Sequence, residues 1–199
     1  MSSDGVNEGR RRFLIGATSA VGAVGAGFAA VPFVQAWQPS AKAKTAGAPV
    51  VADISKLEVG QRMTVEWRGR PVWILRRSPE AMANLKKVED NLRDPQSAES
   101  KQPEYTKNEH RSRTDHDDIV VLIGICTHLG CSPLYRPEVG AADLGAEWLG
   151  GFFCPCHGSK FDMAGRVFKS VPAPLNLEVP PYYFMSESLI KLGEDGEAA

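Results

Sequence analysis

The four cysteines of this chain, and two of its four histidines, fall in two short stretches. The first reads Cys126-Thr127-His128-Leu129-Gly130-Cys131 and the second Cys154-Pro155-Cys156-His157-Gly158-Ser159. Cys126 and His128 are two apart, Cys154 and His157 three apart, so the pair of stretches offers thiolates and imidazoles from two tight loops. Loops this short leave little room for a packed side-chain core, and the donor types call for a metal centre. Zinc in a Cys₂His₂ site uses the same ligands. So does a two-iron, two-sulfide cluster in which a histidine pair replaces the cysteines on one iron. The bland alternative is four buried thiols and two structural histidines. It fits poorly with so long a joint pattern, although either half alone would carry little.

The motifs CTHLGC and CPCHGS together resemble the signature of the disulfide-containing Rieske proteins. More narrowly, the chain is similar to the iron–sulfur subunit of bacterial ubiquinol:cytochrome c oxidoreductases, the cytochrome bc complexes. That resemblance implies one [2Fe-2S] cluster, with Cys126 and Cys154 on one iron and His128 and His157 on the other. It also implies a disulfide between Cys131 and Cys156. Rieske ferredoxins and ring-hydroxylating oxygenases resemble the ligand pattern but lack the two extra cysteines. The resemblance further implies a mainly β head: an antiparallel β-sandwich with a cluster-binding subdomain at about 119–177 and one helical insertion.

Composition and the N-terminus fit an exported, membrane-anchored protein. Formal net charge is −1, with 23 Lys and Arg against 24 Asp and Glu, so no basic face argues for nucleic acid. A disulfide implies an oxidising compartment. Residues 1–12 form a short polar tail ending in Arg10-Arg11-Arg12, and Arg10 to Leu14 fit the twin-arginine export pattern R-R-x-F-L. That route carries folded, cofactor-loaded proteins. Residues 13–34 then carry no charge. As a helix they measure about 33 Å, enough for a hydrocarbon core. Arginines before the segment and none just after it place the N-terminus in the cytoplasm and the head in the periplasm. Gly22, Gly25, Ala26 and Gly27 would offer a small-residue face. A cleaved signal peptide with its site at Val34-Gln35-Ala36 is the competing reading, but the apolar run exceeds an ordinary signal of roughly 7–15 residues. Residues 35–49 read as a flexible hinge.

Along the head, residues 50–54, 62–67 and 71–75 read as strands, the last two as a hairpin turning at Arg68-Gly69-Arg70. The period changes over 79–92, where Ser78 caps and Pro79 opens a helix with Met82, Leu85 and Leu92 on its apolar face. Residues 96–118 are charged and read as a surface loop, with His110 and His116 as ordinary exposed histidines. Residues 119–125 and 147–153 read as strands that deliver Cys126 and Cys154. Residues 161–168 read as a hairpin turning at Ala164-Gly165, 189–192 as a last strand and 193–199 as an acidic tail.

Residues 171–177 resemble the family's proline loop, with Pro172 and Pro174 making a stiff lid over the cluster. The family has Gly where Val171 stands. Two imidazoles in place of two thiolates make a cluster less negative, which lifts its potential from near −400 mV into about −150 to +300 mV. An exposed imidazole ligand also has a second nitrogen for a proton. By resemblance, His157 takes the hydrogen bond from ubiquinol, and the electron passes to a c-type cytochrome subunit. By the same resemblance, Leu129 lines this chain's docking surface, and a cytochrome b subunit is a further partner in a dimeric, membrane-bound complex. Ser159 stands where the family donates a hydroxyl to the cluster. Phe161 stands where well-known members have Tyr, which lowers the expected potential. The alternative reading is the small Rieske subunit of a periplasmic molybdenum oxidase, which would take electrons from an oxyanion site. The insertion at 79–118 and the LNLEVP stretch favour the bc type. A structural zinc module is the third reading.

Overall fold

The computed structural model describes residues 5, 7–41, 43 and 47–196. The chain divides into two compact units, Met1–Thr45 and Ala46–Ala199. Part of the expected hinge, together with the ends of both expected tails, lies outside the described residues.

The first unit is helix α1, Glu8–Ala36, 29 residues long and with none of them buried. Asn7 caps it by accepting the N–H of Arg10 at 3.1 Å. Its mean hydropathy reaches 1.7, and it is long and apolar enough to cross a membrane. The helix exceeds the expected 13–34 at both ends. Arginine is a good helix former, and the Asn7 cap lies ahead of all three, so the basic motif belongs to the helix. Pro32 falls within it.

The second unit is mainly antiparallel β, as the motif resemblance implies, and its strands form three three-stranded sheets. The strands are β1 (Val50–Asp53), β2 (Arg62–Trp67), β3 (Arg70–Arg76), β4 (Ile119–Ile123), β5 (Leu134–Arg136), β6 (Gly151–Phe153), β7 (Lys160–Phe161), β8 (Tyr182–Ser186) and β9 (Leu189–Leu192). The sheet orders are β1-β9-β8, β2-β3-β4 and β5-β6-β7. The β2–β3 hairpin pairs Trp67 with Arg70, and both turn residues, Arg68 and Gly69, have positive φ. Two-residue hairpins of that hand match the natural twist of the strands. Strand β4 is buried along its whole length. Trp73 of β3 stacks on Phe152 of β6 with ring centroids 5.0 Å apart, and this contact joins the second sheet to the third.

Several expectations need correction. The strand over 119–125 stops at Ile123. The next residue, Gly124, has no Cβ, and a Cβ there would overlap the Trp73 ring; its N–H still donates to Pro71 O of β3 at 2.8 Å. The strand over 147–153 shrinks to Gly151–Phe153. Gly150 has φ +92°, which no extended strand tolerates, and Trp148 instead buries itself and donates its indole N–H to Arg136 O. The helix over 79–92 is α2, Pro79–Lys87, followed by a 3₁₀ turn at Glu89–Asn91. Leu92 is extended and bridges to Phe168. Its burial was legible, but its backbone follows that long-range partner.

The largest departure is 96–118, which is no surface loop. Ser97, Thr106, Arg111 and Ser112 are fully buried. Their polar groups are satisfied internally, which makes a charged segment compatible with burial. His110 and His116 are half-buried. His110 lies between Glu109 and Asp117 at 3.6 and 3.5 Å, and His116 stacks on Phe184. Strands β5 and β8 have no counterpart in the sequence reading.

Candidate metal centre

The two motif stretches fold into matching loops. In the first, Cys126 N–H donates to Cys131 O at 2.7 Å and Gly130 N–H to Cys126 O at 3.1 Å. In the second, Cys154 N–H donates to Ser159 O at 2.8 Å and Gly158 N–H to Cys154 O at 2.9 Å. The residue four beyond the leading cysteine is glycine in both, with φ of +85° at Gly130 and +76° at Gly158. The left-handed turn that closes each loop needs a residue without a Cβ. Strand β4 delivers the first loop and β6 the second.

Cys126 and Cys154 are buried, each 2% exposed, and their thiols are hydrogen-bonding neighbours. The rings of His128 and His157 lie 4.8 Å apart between centroids, with planes at 83°. His128 is half-buried and His157 exposed. So sulfur donors lie inside and nitrogen donors face outward. Burial pushes the Cys126 thiol up, with the His128 backbone N–H pulling the other way. A bound cation reverses that balance by deprotonating a coordinating thiol.

Cys131 and Cys156 are joined by a disulfide, Cα–Cα 6.7 Å. Their sulfurs lie within 4.8 Å of Cys154 Sγ, but a disulfide sulfur is no thiolate, so this trio is not a ligand set. Cys126 and Cys154 are the free thiols. Two free thiols inside and two imidazoles outside fit the donor set of a Rieske cluster.

The proline loop is tied to both Cys/His loops. Thr127 Oγ1 donates to Leu175 O at 2.6 Å, and Ala173 N–H donates to Ser159 Oγ at 3.0 Å. Ala173 is buried while Pro172 and Pro174 are exposed, so the prolines form the outer surface of the lid. Val171 keeps ordinary backbone angles, and the positive φ (+60°) falls on Ser170. Ser159 is buried, and its hydroxyl also reaches the Cys126 thiol. Phe161 is fully buried and pairs with Phe152. A Cβ on Gly151 would overlap Phe161 O, so that glycine lets β6 and β7 approach. Leu129 is 71% exposed.

A buried polar network beneath these loops was missed from sequence. Asp162 and Arg166 pair at 2.7 Å with both side chains almost fully buried, across the tight turn of residues 162–166. Arg166 also donates to Leu85 O and Pro95 O. Arg111 donates to Ala164 O, Gly165 O and Leu177 O. Burial lowers its guanidinium to about 10. Asn176 accepts Val167 N–H and donates to Asp94 O and Ser97 Oγ. Two opposite charges four residues apart in an otherwise apolar stretch, FDMAGRVF, were the available signal for the Asp162–Arg166 pair. Nothing local signals Arg111 or Asn176.

Comparison with known proteins agrees with this geometry. Residues 98–181 match the family description Rieske [2Fe-2S] domain. Residues 1–40 match Ubiquitinol-cytochrome C reductase Fe-S subunit TAT signal. A ubiquinol-cytochrome c reductase iron-sulfur subunit of Allochromatium vinosum is 57% identical over 199 residues, 100% of this chain and 95% of that protein. The chain belongs to the Rieske iron–sulfur subunits of ubiquinol–cytochrome c reductase. The subunit of the same name from Bradyrhizobium diazoefficiens is 42% identical over 92% of this chain and 94% of its own length. That from Rhodospirillum rubrum is 40% identical over 96% of each. A chain of a hyperthermophilic respiratory Complex III aligns at TM-score 0.46 and 27% identity, covering 89% of this chain and 98% of that one. The Rieske subunit is therefore an electron-transfer component of an oxidoreductase complex, and its domain is of the [2Fe-2S] type, not a structural zinc module.

Proposed function

We propose that this Rieske subunit takes one electron at a time from ubiquinol and passes it to a c-type cytochrome subunit. Cys126 and Cys154 would hold one iron, and His128 and His157 the other. When bound, the [2Fe-2S] cluster supplies a one-electron acceptor of raised potential. The chain's own residues do the rest. His157 faces solvent, so its imidazole can accept the hydrogen of a ubiquinol hydroxyl and carry the proton away. Leu129 and the exposed Pro172 and Pro174 give this end an apolar rim, suited to a quinol pocket on a cytochrome b partner. The buried Cys126 and Cys154, the Cys131–Cys156 disulfide and the anchored proline loop keep water from the sulfur side. Ser159 offers its hydroxyl toward the cysteine sulfur. Helix α1 would anchor the chain, with the N-terminus cytoplasmic and the head periplasmic. The name of its relatives supports an assembly with cytochrome subunits; that the bc complex is dimeric is part of the proposal.

The observation that carries this reading is the exposed His157 beside two buried thiols. The test is an EPR spectrum of the dithionite-reduced protein, followed by ubiquinol oxidation in the assembled complex. A rhombic signal with average g below that of all-cysteine clusters is expected. A His157→Gln variant should lose that signal and the turnover. A colourless protein with zinc bound would overturn the assignment. The relatives reported above all carry the ubiquinol–cytochrome c reductase name, and nothing in the site favours the molybdenum-oxidase alternative.

A further inference from the structure

The first two turns of α1 present one face built from Asn7, Arg10, Arg11, Leu14 and Ile15, which with Gly5 line an open concavity of about 430 Å³. At 3.6 residues per turn these five positions share ~140° of the helix circumference. The three arginines are not equivalent. Arg12 reaches back to Glu8 at 3.6 Å, and Glu8 is the acidic residue of the first turn. Arg10 and Arg11 have no carboxylate partner among the described residues. They also sit at the positive end of the helix dipole, where first-turn N–H groups point outward.

Further along the same face the surface turns smooth and apolar. The Thr18 hydroxyl folds back to donate to Leu14 O at 2.6 Å, and a Cβ on Gly22 or Gly25 would meet nothing within 4 Å. The face thus joins a pair of free guanidinium forks to an apolar strip. A guanidinium binds phosphate oxygens in a fixed two-pronged geometry. Free phosphate would satisfy the forks but gain nothing from Leu14 and Ile15. An amphiphile with a phosphate head satisfies both.

We propose that Arg10 and Arg11 clamp the phosphate of an anionic phospholipid, whose acyl chain lies along Leu14 and Ile15. The inference rests on the proposed role of α1 as a membrane anchor. It gives the twin-arginine pair a second use after export: fixing the depth of the helix in its leaflet. A basic side chain at an anionic surface strengthens binding about fivefold, so the pair should contribute about 25-fold.

The test uses the full chain, made by cell-free synthesis directly into nanodiscs, so that no variant depends on export. The discs hold phosphatidylcholine with a minor fraction of phosphatidylglycerol. Lipid retained after transfer to mild detergent is quantified by mass spectrometry, and integration by alkaline extraction. The wild type should retain phosphatidylglycerol far above its bulk share. Arg10→Gln with Arg11→Gln should cut that preference by about 25-fold. Leu14→Ala with Ile15→Ala should lower total retained lipid while keeping the preference. Inorganic phosphate at 50 mM should displace little, and full displacement would make this a free-phosphate site and overturn the proposal. A chain that integrates but shows no preference, or the same preference without the arginines, overturns the clamp alone. A chain that fails to integrate overturns the anchor reading and the clamp with it.

Discussion

Ser159 and Phe161 occupy neighbouring positions with different chemistry. Ser159 uses its oxygen to accept Ala173 N–H and its hydroxyl to reach the Cys126 sulfur. Phe161 has no hydroxyl to offer. One hydrogen bond of about 1 kcal/mol corresponds to about 40 mV for one electron. Phe161→Tyr should therefore raise the cluster potential by about 40 mV in an EPR-monitored redox titration, and an unchanged or lower value would mean that a hydroxyl at this position gives the cysteine sulfurs no hydrogen bond. Ser159→Ala should lower it by a similar amount. His110 poses a pH question. Burial, with Arg77 and Arg166 nearby, lowers its pKa against the opposing pull of Glu109 and Asp117. A folded-state pKa below the unfolded value of about 6.5 means that the unfolded chain takes up the proton first as pH falls. Stability is then lost as pH drops through about 6.5 and levels off below the folded-state value. The urea midpoint of the wild type should fall relative to His110→Gln between pH 7.5 and 5.5, and parallel curves would count against the burial argument.

At the scale of elements, the two Cys/His loops rest on a hydrogen-bonded support. The turn at 162–166 is closed by Asp162, which accepts the N–H groups of Ala164 and Arg166 while pairing with the Arg166 guanidinium. Removing one partner of a buried pair leaves the other charge uncompensated, at a cost of about 3–5 kcal/mol. Arg166→Leu should reduce head stability by that amount in chemical denaturation, well beyond an exposed arginine change. A loss under about 1 kcal/mol would mean that water reaches Asp162. The segment 89–101 holds the proline loop: Asn176 N–H donates to Ser100 Oγ, and the Arg93 guanidinium to Val171 O. The insertion thus positions a loop that lies more than 70 residues away in sequence.

For the whole molecule, the buried apolar side chains run from Ala52 to Leu192, and α1 contributes none. The fragment 46–199 should therefore unfold at the same temperature as the head within the full chain; a drop of several degrees would show that the helix unit lends it stability. The linker over 38–49 is a separate matter. If it serves as the expected hinge, replacing several of its residues with proline should slow turnover while leaving the cluster spectrum unchanged. A changed spectrum would mean that the linker bears on the head itself.

The candidate Cys and His ligands, the paired loops and the long apolar helix were legible in sequence because each depends on short spacing: cysteine, histidine and glycine within six residues, or one long uncharged run. The β2–β3 hairpin and the tight turn at Gly165 were legible for the same reason, since local backbone angles decide them. The tertiary structure alone decided the fate of residues 96–118. Their charge suggested solvent, but Arg111 finds three backbone carbonyls, at Ala164, Gly165 and Leu177, and Ser97 and Ser100 meet Asn176, all supplied by distant parts of the chain. Burial of a polar group is favourable only when such partners exist, and a one-dimensional pattern cannot say that they do. Strand ends followed the same logic. Just past β4, Gly124 leaves the space that the Trp73 ring occupies, and no periodicity records that ring.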